Sequence, residues 1–363
     1  MAITQLDCFR ATVAHQPHEG ILTFLNYTPD LERRLRAKYA LPEGKTLAEH
    51  FGMFEPVGIT PKSVNEAEVP DTSAYYRDVE IPEGVTTNPW GVLRLPGDYY
   101  HFTRMVSPLR NADSMQAIRD YPYRQVESYD VDSMARLVNE AHKQHRVAQG
   151  PVGHIFETSW QIRGMEPFLM EMVTDPERCD YIFDRVYEHQ KAKACALAQA
   201  GVDYIHTGDD VATQQAMMFG IDYWRRFLKT LWADIYAAVR AIKPDIHIFY
   251  HSDGNIDPII PELIEIGVDI LNPVQPECMD PFHIKREFGK DVVLFGCLGT
   301  QSLMPFGTPD DIRTTIHRYA RELGSDGALI LAPTHVLEPE VPIVNIETVV
   351  ETVREYGDIQ GEF

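Results

Sequence analysis

The sequence predicts a (β/α)8 barrel, or TIM barrel, with an N-terminal insertion. From about residue 150, short apolar runs alternate with helical segments, and each apolar run ends in polar residues. No Gly-x-Gly-x-x-Gly motif follows the first predicted strand, which disfavours an open dinucleotide-binding sheet. The chain has 363 residues, of which 44% are hydrophobic, and this is enough to build the core of one decorated barrel.

Alternation of β-like runs with helices is typical of a parallel sheet covered by helices. With 21–25 and one further early strand the count reaches about eight, which favours a closed barrel. The regular β-like runs are 154–156, 204–206, 246–250, 270–271, 292–295 and 328–331. Helical periodicity covers 30–39, 130–147, 175–200, 221–242, 257–266, 309–323 and 343–356.

We interpret residues 1–363 as one barrel domain in two parts of different texture. Residues 1–145 are irregular and rich in proline, aromatic and acidic residues, and they hold the first barrel units plus the insertion. Residues 150–357 hold the regular βα units. The role of the insertion stays open at this point.

Composition excludes several classes of function. The formal net charge of −21 would repel phosphate backbones, so we expect no nucleic-acid partner. No window approaches the roughly 20 apolar residues that span a bilayer, and the start of the chain has no secretory signal. The five cysteines are scattered without a Cys-x-x-Cys pair, which indicates reduced thiols in a cytoplasmic protein.

Barrel enzymes place their chemistry where strands end, so the residues after each apolar run are the site candidates. Groups that bind metals, take up protons or orient ligands follow all six runs, and purely structural loops seldom do this. The candidates are Glu157, Trp160, Arg163, His206, Asp209, Gln214, Met218, His251, Asp253, Asn272, Gln275, Cys297, Gln301 and His335.

Each candidate also has a structural interpretation. His206 lies inside an apolar run and fits a core histidine, and Asp209-Asp210 fits the N-cap of a helix. His251 and Asp253 fit a tight turn that ends at Gly254. The remaining structural alternatives are a buried apolar Cys297, a Glu157–Arg163 salt bridge, and a core or pocket-wall position for Met217-Met218-Phe219.

Four segments together resemble the uroporphyrinogen decarboxylase superfamily. They are Gly201-Val202-Asp203 leading into Gly208-Asp209-Asp210, Tyr250-His251-Ser252-Asp253-Gly254-Asn255-Ile256, 267–275 and 331–335. The resemblance covers most of the chain, is strongest from about 150 to 357, and implies a (β/α)8 barrel. It also implies one of two activities, cofactor-free decarboxylation of uroporphyrinogen or methyl transfer with a corrinoid protein.

The chain departs from the decarboxylase branch near its N-terminus. That branch has an arginine-rich signature that grips substrate carboxylates, and the corresponding stretch 18–27 contains no arginine. A substrate with eight carboxylates needs a cationic pocket. The resemblance is therefore closer to the methyltransferase branch.

In the methyltransferase branch, zinc is held by a His-x-Cys pair and by a cysteine near the last strand. The resemblance places His251 at the histidine, Asp253 at the first cysteine and His335 at the second, with Cys297 as a candidate fourth ligand. Such N/O ligands suit zinc or another divalent metal with an open position. They make the metal a harder Lewis acid, which favours polarising an ether or hydroxyl oxygen.

The resulting hypothesis is a metal-dependent demethylase that passes a methyl group from a small O-methyl (or N- or S-methyl) substrate to a corrinoid. Glu157, His206 and Asp209 are the candidate acids, and the other candidates bind substrate. No Asp-x-His-x-x-Gly run occurs, so the cobalamin is expected on a separate protein. The family resemblance also implies a possible homodimer. The rivals are a cofactor-independent decarboxylase of a small organic acid or porphyrinogen-like substrate, and a non-catalytic barrel that binds a small molecule.

Overall fold

The computed structural model describes residues 3–64, 70–96 and 104–357. Its main element is a curled, parallel seven-stranded sheet in which strands that follow one another in the chain are neighbours. The order is β1 (Val57–Gly58), β5 (Ala148–Gly153), β6 (Tyr204–Gly208), β7 (His247–His251), β8 (Ile270–Val274), β9 (Val293–Leu298) and β10 (Leu329–Pro333). A separate antiparallel sheet contains β2 (Thr86–Thr87), β3 (Leu93–Leu95) and β4 (Arg104–Val106).

Residues 22–24 lie between β10 and the segment that precedes β1. Leu331 of β10 donates its N–H to the Leu22 carbonyl, and Phe24 donates to the Leu331 carbonyl, at 2.8 and 2.9 Å. On the other side, Phe54, just before β1, donates to the Thr23 carbonyl at 2.8 Å. The predicted strand 21–25 is thus represented by a short bridge, and the arrangement is compatible with the predicted (β/α)8 fold.

Helices cover the outer face of the parallel sheet, close to where periodicity predicts them. Thr308 caps one of them through a reciprocal capping box with Asp311. The predicted helix 221–242 contains a π-helical turn at 225–229. The helices are α1 (Gln5–Val13), α2 (Pro29–Lys38), α3 (Leu47–Phe51), α4 (Met115–Arg119), α5 (Val131–Lys143), α6 (Phe156–Arg163), α7 (Met165–Thr174), α8 (Pro176–Ala200), α9 (Ile221–Trp224), α10 (Thr230–Ile242), α11 (Ile260–Ile266), α12 (Pro281–Phe288), α13 (Leu303–Phe306), α14 (Pro309–Glu322) and α15 (Ile343–Arg354).

Two apolar layers follow from the alternation of side chains along the strands. Tyr204, Phe249 and Phe295 belong to an inner cluster, to which α1 contributes Phe9. Residues of the opposite parity, such as Ile205, belong to the larger cluster between sheet and helices. Strand ends therefore present side chains to the interior of the curled sheet.

One predicted strand is wrong in position. Residues 154–156 are not a strand, because β5 ends at Gly153 and α6 begins at Phe156. The true strand has the sequence Ala-Gln-Gly-Pro-Val-Gly, whose small residues hide its β character. Packing explains one of them, since a Cβ on Gly150 would lie 3.1 Å from Cδ1 of Leu197. His154 is consequently a strand-end residue.

The irregular part, 1–145, contains short helices and the antiparallel sheet within its described residues. Across the described part of the chain, no helix combines the length and the apolar character needed to cross a membrane.

Candidate metal and substrate site

A cavity of about 490 Å³ opens at the carboxyl ends of the parallel strands. Aromatic rings and imidazoles dominate its wall, and no lysine or arginine is among the described residues that line it. The lining residues are Phe24, Asn26, Tyr27, Pro56, Gln149, Tyr204, His206, Phe249, His251, Asn272, Phe295, Pro333, Thr334, His335 and Val336. Such a wall suits a small, largely apolar ligand with a few polar atoms.

His251, the last residue of β7, has a fixed ring orientation. Its Nδ1 lies 2.7 Å from Oδ1 of Asn272, the residue opposite it on β8. The Asn272 amide nitrogen in turn donates to the Phe295 carbonyl at 3.4 Å, so the amide oxygen faces the ring. The Nδ1 of neutral His251 therefore carries the proton, and Nε2 keeps a lone pair that can bind a metal.

Two aspartates lie next to this lone pair. His251 Nε2 is 3.7 Å from Oδ1 of Asp210, which accepts a 2.8 Å hydrogen bond from the backbone N–H of Asp253. One ligand atom from each of these three residues lies within 4.8 Å of the others. Their spacing fits a single divalent cation.

One carboxylate oxygen of Asp253 has no hydrogen-bond partner among the described residues. This oxygen, Oδ1, is buried. Burial raises the pKa of Asp253, the charge of His251 opposes this rise, and the charge of Asp210 adds to it. A bound cation would satisfy the orphan oxygen and relieve the repulsion between the two carboxylates, so the donor set fits a metal.

Two glycines allow the loops of this site to approach each other. A Cβ on Gly208 (φ 147°) would lie 2.1 Å from the carbonyl oxygen of His251. A Cβ on Gly254 (φ 89°) would lie 2.5 Å from the carbonyl oxygen of Thr213. The Gly254 N–H donates at 2.6 Å to Oε1 of Gln275, so this predicted substrate residue instead holds the metal-site turn.

A second polar cluster, His154, Glu157 and Asp209, adjoins the first. Nδ1 of His154 lies 2.7 Å from Glu157 Oε2 and 2.8 Å from the Gly208 carbonyl oxygen. The same Glu157 oxygen accepts the N–H of Asp210 at 3.2 Å, which joins the two clusters. Burial alone would lower the pKa of His154, but the hydrogen bond and charge of Glu157 outweigh it and raise that pKa to about 9.

Asp209 is fully buried and supports this cluster from behind. Its Oδ2 accepts from Trp232 Nε1 at 2.9 Å and its Oδ1 accepts from the Glu157 N–H at 3.2 Å. Burial raises the pKa of Asp209 to about 7, although the charge of His154 opposes the rise. The helix N-cap interpretation of Asp209-Asp210 is wrong, since the next helix begins only at Ile221.

His206 lines the cavity next to His251, with ring centroids 6.3 Å apart. Its Nδ1 lies 2.9 Å from the Gln149 amide nitrogen. Burial, followed by the charges of His251 and His154, lowers the pKa of His206 to about 3. A ring that is neutral at physiological pH does not suit the predicted role of proton-donating acid.

Arg163 does not reach the cavity, contrary to the predicted substrate contact. Its Nε and Nη2 bind the two carboxylate oxygens of Glu171, each at 2.8 Å, and Nη1 donates to the Leu109 carbonyl. The alternative Glu157–Arg163 salt bridge is also wrong, because Glu157 pairs with His154. Arg163 instead ties α6 and α7 to the segment before α4.

The other two predicted ligands lie apart from the candidate metal cluster of Asp210, His251 and Asp253. His335 lines the cavity and its charge acts on Asp253, but it is outside the group whose atoms lie within 4.8 Å. Cys297 has φ 72° and is buried in the layer between sheet and helices, where burial raises its pKa to about 12. A buried apolar cysteine, the structural alternative for Cys297, describes this environment.

The remaining predicted substrate residues fall into three places. Asn272 lines the cavity, and Gln214 donates at 2.7 Å to Gln301 in a bridge between exposed loops after β6 and β9. Met218 is half-buried against the main core, as its structural alternative predicts. Trp160 lines a different cavity of about 710 Å³ beside β4 and α7.

Three residues of the site were not among the predicted ligands and acids. Asp210 follows Asp209 in the sequence. Its place beside His251 and Asp253 becomes visible only in the structure, where the Asp253 N–H donates to its carboxylate. His154 could have been found from its i,i+3 spacing to Glu157, but the misplaced strand hid it. Gln149 is the second residue of β5, where the sequence pattern gives no sign of function.

Comparison with known proteins identifies the family of this chain. The family model for uroporphyrinogen decarboxylase (URO-D) matches residues 101–356, more than half of the chain. The chain belongs to the uroporphyrinogen decarboxylase family. No curated protein sequence matches it. Among solved structures, this URO-D family chain is similar to a methyltransferase from Methanosarcina mazei, with a TM-score of 0.63 and 17% identity over 98% of this chain and 99% of that one. At that identity the likeness shows a shared fold.

Proposed function

We propose that this chain is a metal-dependent methyltransferase that moves a methyl group from a small O-methyl substrate to a corrinoid carried by a separate protein. The observation that carries the proposal is the Asp210–His251–Asp253 cluster beside an aromatic cavity. The buried, unpartnered Oδ1 of Asp253 and the lone pair on His251 Nε2 both point to a cation. The methyltransferase fold neighbour supports the choice of branch.

His251, Asp210 and Asp253 would hold the metal, with His335 across the cavity as a further donor. A bound divalent metal would supply Lewis acidity toward the substrate oxygen. These donors are nitrogen and oxygen, so zinc is one of several metals that fit. Cys297 is left out of the proposed set because its thiol is buried outside the cluster.

The transfer requires a proton for the departing oxygen. In the proposed reaction the Co(I) corrinoid would be a co-substrate that supplies two electrons to the methyl carbon, while the substrate oxygen would keep its bonding pair and take up a proton. We assign that proton to the His154–Glu157 pair, because the pKa of His154 is raised to about 9 and Glu157 adjoins Asp210 of the candidate metal cluster. Asp209 positions Glu157 through the backbone N–H.

Cofactor-free decarboxylation is the second candidate, favoured by one observation. Asp209 is a buried acid whose pKa is raised to about 7, as a proton donor to a carbanion would need. Against it, both oxygens of Asp209 are engaged by Trp232 and Glu157, and the described cavity wall offers no lysine or arginine to a carboxylate substrate.

A methyl-transfer screen tests the proposal. Purified protein loaded with zinc or cobalt is mixed with Co(I) cobalamin and a panel of methoxylated aromatics, methylamines, thioethers and betaines. Methylcobalamin formation, followed by absorbance and abolished in His251→Ala, is the expected result. Decarboxylation of an acid with no methyl transfer across the panel would favour the second candidate.

We also infer that residues 22–24 complete an eight-membered barrel, since they bond to β10 on one side and to Phe54, just before β1, on the other. The irregular N-terminal part, including the antiparallel sheet, is proposed as the insertion that borders the barrel mouth.

A further inference from the structure

Three side chains form a hydrogen-bonded chain along the wall of the cavity. The Tyr204 hydroxyl donates to Gln149 Oε1 at 2.9 Å, and Gln149 Nε2 lies 2.9 Å from His206 Nδ1. Because an amide nitrogen only donates, His206 Nδ1 is the acceptor in this contact. The single proton of the neutral ring is therefore on Nε2.

This proton is directed away from the Tyr204–Gln149 pair. His206 Nε2 makes no hydrogen bond to the described residues, and the ring lines the cavity. The ring packs against Phe249 with centroids 4.3 Å apart, which leaves little freedom to turn. The cavity thus contains a fixed hydrogen-bond donor among aromatic rings.

His206 and His251 both line the cavity, but their Nε2 atoms differ in hydrogen-bonding character. Asn272 accepts from Nδ1 of His251 and leaves a lone pair on Nε2, whereas Gln149 donates to Nδ1 of His206 and leaves a proton on Nε2. The two rings are 6.3 Å apart. A ligand between them meets one nitrogen that accepts or binds metal and one that donates.

We infer that His206 is a specificity-determining residue that binds an acceptor oxygen of an aryl methyl ether, and that it selects such donors over quaternary ammonium compounds. This inference rests on the proposed function, in which the cavity takes a methyl donor. The aryl ring packs among Phe24, Phe249 and Phe295, and the oxygen accepts from His206 Nε2. A quaternary ammonium group has no lone pair, so it would leave the Nε2 proton unsatisfied.

The direct test is the protonation pattern of His206. In protein labelled with ¹⁵N-histidine, the resonances that disappear in His206→Gln belong to His206. We expect a protonated (pyrrole-type) Nε2 and an unprotonated (pyridine-type) Nδ1 in the wild-type protein. A pyrrole-type Nδ1 would overturn it, because Nε2 would then be an acceptor.

Ligand binding gives a second readout that needs neither corrinoid nor turnover. Calorimetric titration uses guaiacol (2-methoxyphenol) and N,N,N-trimethylanilinium as probes. Guaiacol should bind at least tenfold more tightly than the cation, and His206→Leu should weaken guaiacol about tenfold while His206→Gln, which retains an amide donor, restores most of the affinity. His247→Leu is the matched control. His247 is the first residue of β7 and is not among the described residues that line the cavity, so this variant should bind guaiacol as the wild type does.

Equal affinity for the two probes, no binding of guaiacol, or unchanged guaiacol affinity in His206→Leu would each overturn the inference. Failure of the proposed function is distinguishable. If guaiacol binds through His206 but no methyl transfer occurs with any metal, the methyltransferase proposal falls and the assignment of His206 as a ligand-binding donor stands.

Discussion

His251 and Asn272 face each other on neighbouring strands, with His251 Nδ1 2.7 Å from Asn272 Oδ1. This contact determines which nitrogen of His251 is available to a metal. Residues that orient a metal-binding histidine in this way commonly change metal affinity 10- to 100-fold when they are replaced.

We expect Asn272→Leu to weaken binding of Zn²⁺ about 10- to 100-fold, since the ring loses the acceptor that keeps the proton on Nδ1. Asn272→Asp keeps an oxygen acceptor and should retain most of the affinity. Competition with a chromophoric chelator measures both variants. Equal losses in the two would show that Asn272 acts through packing alone.

Asp253→Asn should stabilise the metal-free protein and abolish its response to metal. The substitution removes a carboxylate whose pKa is raised by burial and by the charge of Asp210, so the uncharged amide favours the folded state. Thermal unfolding with and without Zn²⁺ is the measurement. The wild-type Tm should rise on addition of metal and the variant Tm should not. A variant that is less stable without metal, or still responds to it, would contradict this role.

Arg163→Met should unfold more easily without changing substrate affinity. Among the described residues it leaves the buried Glu171 with Arg178 as its one charged partner, and breaking a buried pair costs about 3 kcal/mol or more. Chemical denaturation gives the free energy of unfolding, and guaiacol titration gives the affinity. A selective loss of affinity at unchanged stability would restore Arg163 to the substrate site.

The sequence placed Arg163 shortly after a predicted strand and so suggested a site residue. Its actual partner is Glu171, and this pairing depends on how α6 packs against α7, which the periodicity of the sequence does not reveal. The places of β6 to β10 in the chain were predictable from their apolar runs, but each strand extends one to three residues beyond its predicted end. Asn272 and Cys297 therefore lie within β8 and β9, whereas the sequence predicted them after those strands. The position of β5 was not, since its small residues are required by packing against Leu197. The candidate metal cluster was half predictable: His251 and Asp253 share one turn, whereas Asp210 joins them through a backbone hydrogen bond between loops.

His189 should make the protein less stable in acid. It is buried on α8, where its Nε2–H donates to the Gln125 carbonyl at 2.7 Å, with Arg124, Lys193 and Glu127 as the neighbouring charges. Burial, with the charges of Arg124 and Lys193, lowers its pKa to about 4 from 6.5. Between these two pH values His189 binds a proton in the unfolded chain but not in the folded one. The free energy of unfolding therefore falls as the pH drops from 6.5 to about 4.

His189→Gln keeps a donor for Gln125 and removes this titration. Denaturant unfolding at several pH values should show that the variant loses less stability than the wild type across that window, by up to about 3 kcal/mol. Parallel pH profiles for the two proteins would mean that His189 is not the group responsible.

The absorption spectrum of the Co(II)-loaded protein tests the central claim most directly, namely that Asp210, His251 and Asp253 hold the metal without a thiolate. We predict stoichiometric binding, visible bands of a nitrogen and oxygen ligand field, and no thiolate-to-cobalt charge-transfer band. The spectrum should persist in Cys297→Ala and be lost in His251→Ala. A thiolate charge-transfer band that disappears in Cys297→Ala, or a wild-type protein that binds no cobalt, would contradict the account.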